Sequence, residues 1–294
     1  MRPLPRAPFA APAVAAIALA AVAQLGGASL AGAVLWGCEG EGPKTALSYT
    51  EDAKRAYDAA MEEYNAHNWV EAQSLLREVK RKYSYSKYAR MAELRIADAD
   101  YEQEKYSDAI REYKDFIHAH RSDADDVAYA RSRIAESMYA EIPETALIGA
   151  AEERDQASVV DAYKELNSYL SDFPGAKEST HLRELLGLVV ARLVRHELYV
   201  ARFYLGRDNY DAAVARIQYA LHNYGPGGGA VRAGVTADSD LDAEALLLLG
   251  QTYLKMHKWG EARGAFETIV RAHGDSPIVV QARDYLQHLS EQGA

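Results

Sequence analysis

Residues 64–72, YNAHNWVEA, decide the fold, because they form a tight turn between two segments that share one periodicity. Apolar or small side chains recur at i, i+3, i+4 and i+7 spacing on both sides, which places them on one face of an amphipathic helix. They are Ala53, Ala56, Tyr57, Ala60 and Tyr64 before the turn, and Ala72, Leu75, Leu76, Val79 and Tyr83 after it. Residues 53–83 therefore predict two helices joined by a turn around Asn68 and Trp69.

The same pattern recurs further along the chain. At a constant offset of 37 residues, five positions match Tyr64, Trp69, Ala72, Leu76 and Tyr83, namely Tyr101, Tyr106, Ala109, Tyr113 and His120. Residues 209–213 (NYDAA) and 258–262 (KWGEA) each carry an aromatic residue three positions before their final Ala. A middle pair is predicted near residues 127–139 and 156–173, joined by the longer connection 141–155. The chain is therefore predicted to repeat one helix pair along most of its length.

A helix pair repeated every ~34 residues resembles the tetratricopeptide repeat. The predicted fold class is all-α, a superhelical stack of about five tetratricopeptide-like helix pairs. We expect N-terminal repeats over residues 51–140 and C-terminal repeats over 141–294, with a Gly-rich loop at 225–240. The resemblance implies a concave surface that binds extended peptides or partner domains, although most of the Tyr and Trp side chains are expected to be packing residues.

The composition narrows the possible partners. The chain has 294 residues, 33 Lys plus Arg against 43 Asp plus Glu, and a formal net charge of −10. Nucleic acid and anionic lipid headgroups attract clusters of Lys and Arg, so a general affinity for either is not expected. With a single Cys, Cys38, no disulfide can form within the chain.

Residues 1–37 predict an export signal. No charged side chain lies between Arg6 and Glu39, and the intervening stretch is rich in Ala, Val and Leu. Leu35-Trp36-Gly37-Cys38 resembles the bacterial lipoprotein signal, which implies cleavage before Cys38, attachment of lipid to it, and a polar tether at 38–50. An uncleaved membrane-spanning anchor and an ordinary buried Cys are the alternatives. The mature chain would hold 31 basic and 43 acidic residues, a net charge of −12.

No catalytic or metal-ligating pattern emerges. His196-Glu197 begins like a zinc-protease motif, but Val200 stands where the second His would be. His118 and His120 point to different faces of a helix. The Gly-rich loop lacks the Lys followed by Ser or Thr of a nucleotide-binding loop. The chain is predicted to be no enzyme and to need no cofactor or metal.

One block of the sequence resembles a particular family. It comprises Arg192, residues 195–198 (RHEL), Val200-Ala201, Phe203-Tyr204, Arg207, Tyr210, Ala212-Ala213 and Arg216. Together with Tyr88-Ala89, residues 106–110 (YSDAI) and Phe116-Ile117, it is similar to the BamD family, lipoprotein subunits of the bacterial outer-membrane barrel assembly machinery. The resemblance implies a periplasm-facing lipoprotein of the outer membrane, and Glu39 after the Cys also favours the outer membrane.

The resemblance also implies partners and sites. The family's C-terminal repeats bind the periplasmic part of the barrel-forming subunit BamA, which assigns Glu197, Tyr204, Arg207 and Arg216 to partner binding. An ion pair of Arg216 with Glu197 or Asp211 is the alternative. The N-terminal repeats would receive unfolded outer-membrane proteins, with Tyr57, Tyr64, Trp69 and Tyr101 as the candidate client-peptide groove. Other lipoproteins of the machinery are further expected partners, and the lipid on Cys38 would provide the membrane contact.

Two other functions are alternatives to this one. Another exported tetratricopeptide adaptor, for example one coordinating division with cell-wall synthesis, would explain the repeats and the signal but not the charged block from Arg192 to Arg216. A repeat domain attached to a hydrolase would need a catalytic motif that the sequence lacks.

Overall fold

The computed structural model describes residues 45–143, 151–225 and 239–292, and residues Thr45–Ala294 form one compact unit. The predicted signal 1–37, the lipidation residue Cys38 and most of the Gly-rich loop lie outside the described residues. Within these ranges the chain folds into eleven α-helices and one short 3-10 helix, Ala151–Glu153. The helices are α1 Ala46–Asn65, α2 Trp69–Lys82, α3 Lys87–Glu102, α4 Tyr106–Ala119, α5 Ala124–Ala140, α6 Ala157–Asp172, α7 Ser179–Leu205, α8 Tyr210–Asn223, α9 Ser239–Lys255, α10 Trp259–Ala272 and α11 Ile278–Glu291.

Each helix packs against the next in sequence, so α1 to α10 form five consecutive pairs and α11 packs on the last of them. The odd-numbered helices also contact one another along the stack, as in α1 with α3 and α7 with α9. The all-α fold class with about five helix pairs is thereby confirmed.

The repeat register is visible at the helix ends. Four second helices, α2, α4, α8 and α10, are each 14 residues long and begin at the aromatic residue of the repeat signature. An aromatic or His residue directly follows the last residue of every second helix, namely Tyr83, His120, Phe173, Tyr224 and His273. The His120 ring lies 4.6 Å from the Phe116 ring, so it fills the aromatic position by packing.

The turns within four pairs share one unusual conformation. His67, Glu104, Asp208 and His257, each two residues before the second helix, adopt positive φ angles of 54–60°. The backbone N–H of the following residue donates to a carbonyl five residues earlier, as from Asn68 to Glu63 and from Lys105 to Asp100. This is the hydrogen bond of a Schellman-type helix ending, in which a left-handed residue reverses the chain.

Close helix approach depends on small residues at one position of each first helix. Ala60, Ala97, Ala201 and Gly250 all lie nine residues before the aromatic that starts the second helix. The opposing side chains, seven residues after that aromatic, are Leu76, Tyr113, Ile217 and Phe266, and each is fully buried. Because large and small residues face each other, every pair fills its own interior.

Two boundaries differ from those expected. Helix α1 begins at Ala46, capped by Thr45, whose side chain accepts a hydrogen bond from the Ser48 N–H. Residues 46–50 of the predicted tether are therefore helical, because the capping threonine starts the helix before the apolar periodicity begins. Helix α9 begins at Ser239, so the last two residues of the predicted loop 225–240 are helical as well.

No helix within the described ranges is both long enough and apolar enough to cross a bilayer.

Candidate functional site

The four aromatic residues of the predicted client groove lie in the first two repeats. Tyr57 and Tyr64 are on α1, Trp69 starts α2, and Tyr101 is on the last turn of α3. Tyr64 packs edge-on against Trp69, with ring centroids 5.1 Å apart, and Tyr101 packs in the same way on Tyr106 at 5.4 Å. Tyr64, Trp69 and Tyr101 remain partly exposed, and they form what we call the N-terminal aromatic surface.

Tyr57 differs from the other three residues. It is only 7% exposed and belongs to the hydrophobic core of the first repeat, with its ring 5.7 Å from that of Tyr88. The prediction that Tyr57 contacts a client peptide does not fit this burial, because its ring faces neighbouring side chains of the same chain.

A buried ionic network around Asp98 lies next to the aromatic surface. It was not predicted from the sequence. Asp98 on α3 is 1% exposed and accepts hydrogen bonds from the hydroxyls of Tyr113, at 2.5 Å, and Tyr129, at 2.9 Å. Arg95 pairs with its carboxylate from the same helix, and Arg133 approaches it from α5 at 3.8 Å. The network thus ties α3, α4 and α5 together.

The network reaches the aromatic surface through Arg133. Its guanidinium carbon lies 3.7 Å from the centroid of the Tyr101 ring, and its nitrogens pair with Glu102 at 3.5 Å and Glu136 at 2.7 Å. A cation held over an aromatic face stabilises it electrostatically and fixes its orientation. Tyr101 is therefore held in place from behind.

The electrostatics follow from this burial. Burial raises the pKa of Tyr64 to about 12, and the negative charge of Asp98 contributes in the same direction. Burial and Asp98 also raise the pKa of Tyr129, while Arg95 and Arg133 oppose the shift. Both hydroxyls therefore stay protonated at neutral pH, and that of Tyr129 donates its hydrogen bond to Asp98.

A cavity of about 480 Å³ opens beside the network. Arg95 and Tyr129 form one wall, and Asp125, Lys177 and Glu178 lie on the others, so both signs of charge line it. Such a mixed lining suits a peptide backbone and polar side chains better than a small apolar ligand.

The predicted partner-binding residues lie on α7, α8 and the turn between them. Glu197 of α7 is 7% exposed, whereas the Arg216 side chain of α8 is 45% exposed, and the two form an ion pair at 3.3 Å. Of the two intramolecular pairs considered, the one with Glu197 is present. Its carboxylate orients the guanidinium, and the burial of Glu197 leaves Arg216 as the member of the pair that solvent reaches.

Arg207 stacks on a neighbouring aromatic ring. Its guanidinium carbon lies 3.5 Å from the centroid of Phe203, which is itself exposed, and it donates to the Phe203 carbonyl oxygen at 3.4 Å. Tyr204 is partly buried, with its ring edge-on to Phe203 at 5.7 Å. We call Glu197, Phe203, Tyr204, Arg207 and Arg216 the C-terminal patch. Phe203 is its exposed apolar residue. It belongs to the block that resembles the family, but it was not predicted as a site residue.

The described residues contain no cluster of three or more His, Cys, Asp or Glu side chains arranged to hold a metal ion. His196 serves a structural contact, since its Nδ1 lies 2.7 Å from the Glu152 carbonyl oxygen and holds the 3-10 helix against α7.

Known proteins with similar sequences share one name. A protein of Caulobacter vibrioides called "Outer membrane protein assembly factor BamD" is 26% identical over 189 residues, which cover 64% of this chain and 59% of the relative. A protein of the same name from Neisseria meningitidis is 25% identical over 173 residues, 58% of this chain and 65% of the relative. The matched region thus spans less than two thirds of each of these relatives.

Among solved structures, the TPR2AB domain of yeast Sti1 in a complex with an HSP90 peptide aligns with 82% of this chain and 84% of that one, at 14% identity and a TM-score of 0.42. A family model built on sequence gives a more specific match. The model of the family described as "YfiO: Outer membrane lipoprotein" matches residues 50–233, which is more than half of the chain and includes both candidate sites. The chain belongs to the YfiO family of outer membrane lipoproteins.

Proposed function

We propose that this lipoprotein is a non-enzymatic scaffold for the assembly of outer-membrane β-barrel proteins, anchored through lipid on Cys38 and facing the periplasm. Membership of the YfiO family supports this function, as do relatives named outer membrane protein assembly factor. In this proposal the C-terminal patch binds the periplasmic part of BamA, and the N-terminal aromatic surface receives unfolded clients.

The observation that carries the BamA contact is the Arg216–Glu197 pair. A buried carboxylate that orients a half-exposed guanidinium prepares it to accept a second carboxylate without losing much side-chain entropy on binding. Arg is suited to that task, because its planar fork donates two parallel hydrogen bonds to one carboxylate. The exposed Phe203 and the Arg207 stacked on it offer further contact area on the same pair of helices and their turn.

Charge reversal at Arg216 tests this contact. Arg216→Glu and Arg216→Gln should reduce co-purification with BamA from detergent extracts, with the reversal more severe. The matched control is Arg111→Glu, which reverses another exposed Arg that pairs within its own helix, with Asp108 at 2.8 Å. Because Arg216→Glu also places a carboxylate beside Glu197, thermal unfolding of each variant is measured in parallel. Full BamA recovery with a folded Arg216→Glu protein would remove the assignment.

The client contact rests on the three partly exposed aromatic residues. An extended strand that ends in an aromatic residue presents a ring and backbone polar groups, and aromatic side chains offer it a large contact area. The ring of Tyr101 is held by Arg133, so little additional ordering is needed when a peptide arrives.

Site-specific crosslinking tests this surface. A photo-crosslinker at Tyr64 or Tyr101 should capture a peptide corresponding to the C-terminal strand of a porin. One at Tyr219, an exposed aromatic residue of α8, should not. Equal capture at all three positions, or none at the first two, would contradict the assignment.

Depletion of the protein separates the proposed function from that of a division adaptor. Loss of folded porins from the outer membrane is expected here, whereas a division adaptor would leave folded porins largely intact.

A further inference from the structure

A strongly basic segment stands out in this acidic chain. Residues 77–90 (REVKRKYSYSKYAR) contain six Lys and Arg side chains and a single acidic one, Glu78. They cover the end of α2, the connection to α3 and the first turn of α3. Residues 77–90 therefore form a local positive surface, although the net charge of the whole chain is −10.

Four of these six charges have no carboxylate partner among the described residues: Arg77 on α2 and three that lie within four residues of Tyr85. Lys80 pairs with Glu93 at 3.7 Å, and Arg90 pairs with Asp123 at 2.9 Å. Arg81, Lys82 and Lys87 are exposed, and within the described part of the chain no carboxylate pairs with any of them. The ammonium groups of Lys82 and Lys87 lie over the adjacent rings of Tyr83 and Tyr88, at 5.5 and 5.2 Å from the centroids.

An aromatic side chain projects from the middle of this segment. Tyr85 is 97% exposed. A tyrosine in full solvent makes no contribution to a core, whereas its amphipathic ring is favoured at the boundary between water and lipid. Arg81, Lys82, Tyr85 and Lys87 together are called the basic loop below.

The basic loop lies beside the start of α1, the first described helix of the chain. Because α1 and α2 form an antiparallel pair, the end of α2 returns to the start of α1, and the rings of Tyr49 and Tyr83 meet at 5.4 Å. Leu47, in the first turn of α1, is 70% exposed at this same end. Cys38 precedes Thr45 by seven residues, a length of chain that spans at most ~25 Å.

From charge and position we propose that the basic loop is a membrane-docking surface that binds the anionic phosphate headgroups of the leaflet holding the lipid anchor. Anionic headgroups attract Lys and Arg, each contributing about fivefold to binding near the surface, while Tyr85 enters the headgroup layer. The loop thereby sets the orientation of the repeats relative to the membrane. The proposal rests on lipid attachment at Cys38, as in the proposed function, and goes beyond it.

Fluorescence quenching in proteoliposomes tests the docking. The full-length lipoprotein carries Tyr85→Cys or Val70→Cys, each labelled with an environment-sensitive fluorophore, in vesicles of phosphatidylethanolamine and phosphatidylglycerol that contain a headgroup spin label. Val70 is the matched control, because it is also exposed but lies at the opposite end of α2, ~20 Å away. Quenching is expected at position 85 and not at position 70.

Charge reversal provides the second arm. Arg81→Glu, Lys82→Glu and Lys87→Glu combined should abolish quenching at position 85. The control combination Lys114→Glu, Lys255→Glu and Arg271→Glu changes the net charge equally at exposed sites elsewhere and should not. Raising the salt from about 0.1 M to about 1 M, which shortens the screening length from ~10 to ~3 Å, should also release the loop.

Several outcomes would overturn the proposal. Equal quenching at the two positions would show no preferred orientation, and quenching that survives the basic-loop reversal would show that headgroup charge is not what is bound. Shielding of position 85 only after an acidic partner protein is added would assign the basic loop to a protein interface instead. The mass of lipid on Cys38 is measured first, to establish that the anchor is present. The basic-loop variant should still co-purify with BamA. Loss of membrane docking with BamA binding retained is therefore distinguishable from failure of the proposed function.

Discussion

At the residue scale, one buried carboxylate organises the N-terminal repeats. Asp98 accepts hydrogen bonds from tyrosines on α4 and α5, while Arg95 and Arg133 balance its charge. A buried charge is tolerated only when such partners satisfy it, and removal of one member leaves the others uncompensated. The packing of α3, α4 and α5 around the aromatic surface therefore depends on this side chain.

Replacement of Asp98 tests that role. Asp98→Ala should lower the free energy of unfolding by ~3–5 kcal/mol, because two arginines and two hydroxyls lose their common partner. Asp108→Ala is the control, since that carboxylate is half-exposed and pairs only with exposed Arg111, and it should cost less than ~1 kcal/mol. Urea unfolding followed by circular dichroism measures both. A similar loss in the two variants would show that the network contributes no special stability.

The raised pKa of Tyr64 predicts sensitivity to alkali. Its folded-state pKa is about 12, above the ordinary value of 10.0, so the hydroxyl ionises more readily in the unfolded chain. Its contribution to stability is therefore complete below pH ~10 and is lost as pH rises toward ~12. The free energy of unfolding should fall between about pH 10 and about pH 12, and less steeply in Tyr64→Phe. Tyr85→Phe, at a solvent-exposed position, is the control, and an unchanged slope in Tyr64→Phe would contradict the prediction.

At the element scale, each helix pair is specified by matched large and small residues. The fifth pair places an aromatic ring, Phe266, directly against a glycine, Gly250. A Cβ added at Gly250 would lie 2.6 Å from the Cζ atom of Phe266, which is too close for two carbon atoms. This close approach requires a glycine at position 250, whereas the three equivalent positions are alanines facing Leu76, Tyr113 and Ile217.

Substitution at this contact should show compensation. Gly250→Ala is expected to destabilise the protein by ~1–3 kcal/mol through overpacking. Phe266→Leu, which recreates the alanine–leucine contact of the first pair, should restore part of that loss when the two are combined. A double-mutant cycle of unfolding free energies gives the coupling. Additive effects would mean that Gly250 and Phe266 do not share the contact.

At the scale of the whole molecule, the helices contact mainly their neighbours along the sequence. Stability in such a stack is approximately a sum of local terms, so damage at one end should remain there. Helix α11 covers the last pair, with Val279, Ala282 and Leu289 buried against it.

Removal of the chain from residue 276 onward should therefore expose the face of α9 and α10. Hydrogen exchange is expected to lose protection in α9 and α10, while α1 to α4 exchange as in the full chain. Loss of protection throughout would instead indicate a single cooperative body.

The repeat itself could be predicted from residues such as Trp69, Ala72 and Leu76, because helix pairing depends on short-range periodicity that the local sequence carries. The helix starts were less predictable. The Thr45 side chain caps α1 by accepting a hydrogen bond from the Ser48 N–H. Both residues precede Ala53, the first apolar residue of the repeat pattern, so the helix begins before the pattern that predicted it.

The sequence by itself determined the all-α repeat fold and the block that resembles a known family, because each depends on residues close together in the chain. It also predicts the export signal 1–37. The tertiary structure decided which of the candidate site residues are exposed and able to contact a partner. It buries Tyr57, joins Arg216 to Glu197 across two helices, and assembles Arg95, Asp98 and Arg133 from separate elements. It also returns the end of α2 to the start of α1, which places the basic loop beside the first turns of α1. Burial and charge pairing between distant residues arise only when the helices pack, and no local periodicity encodes them.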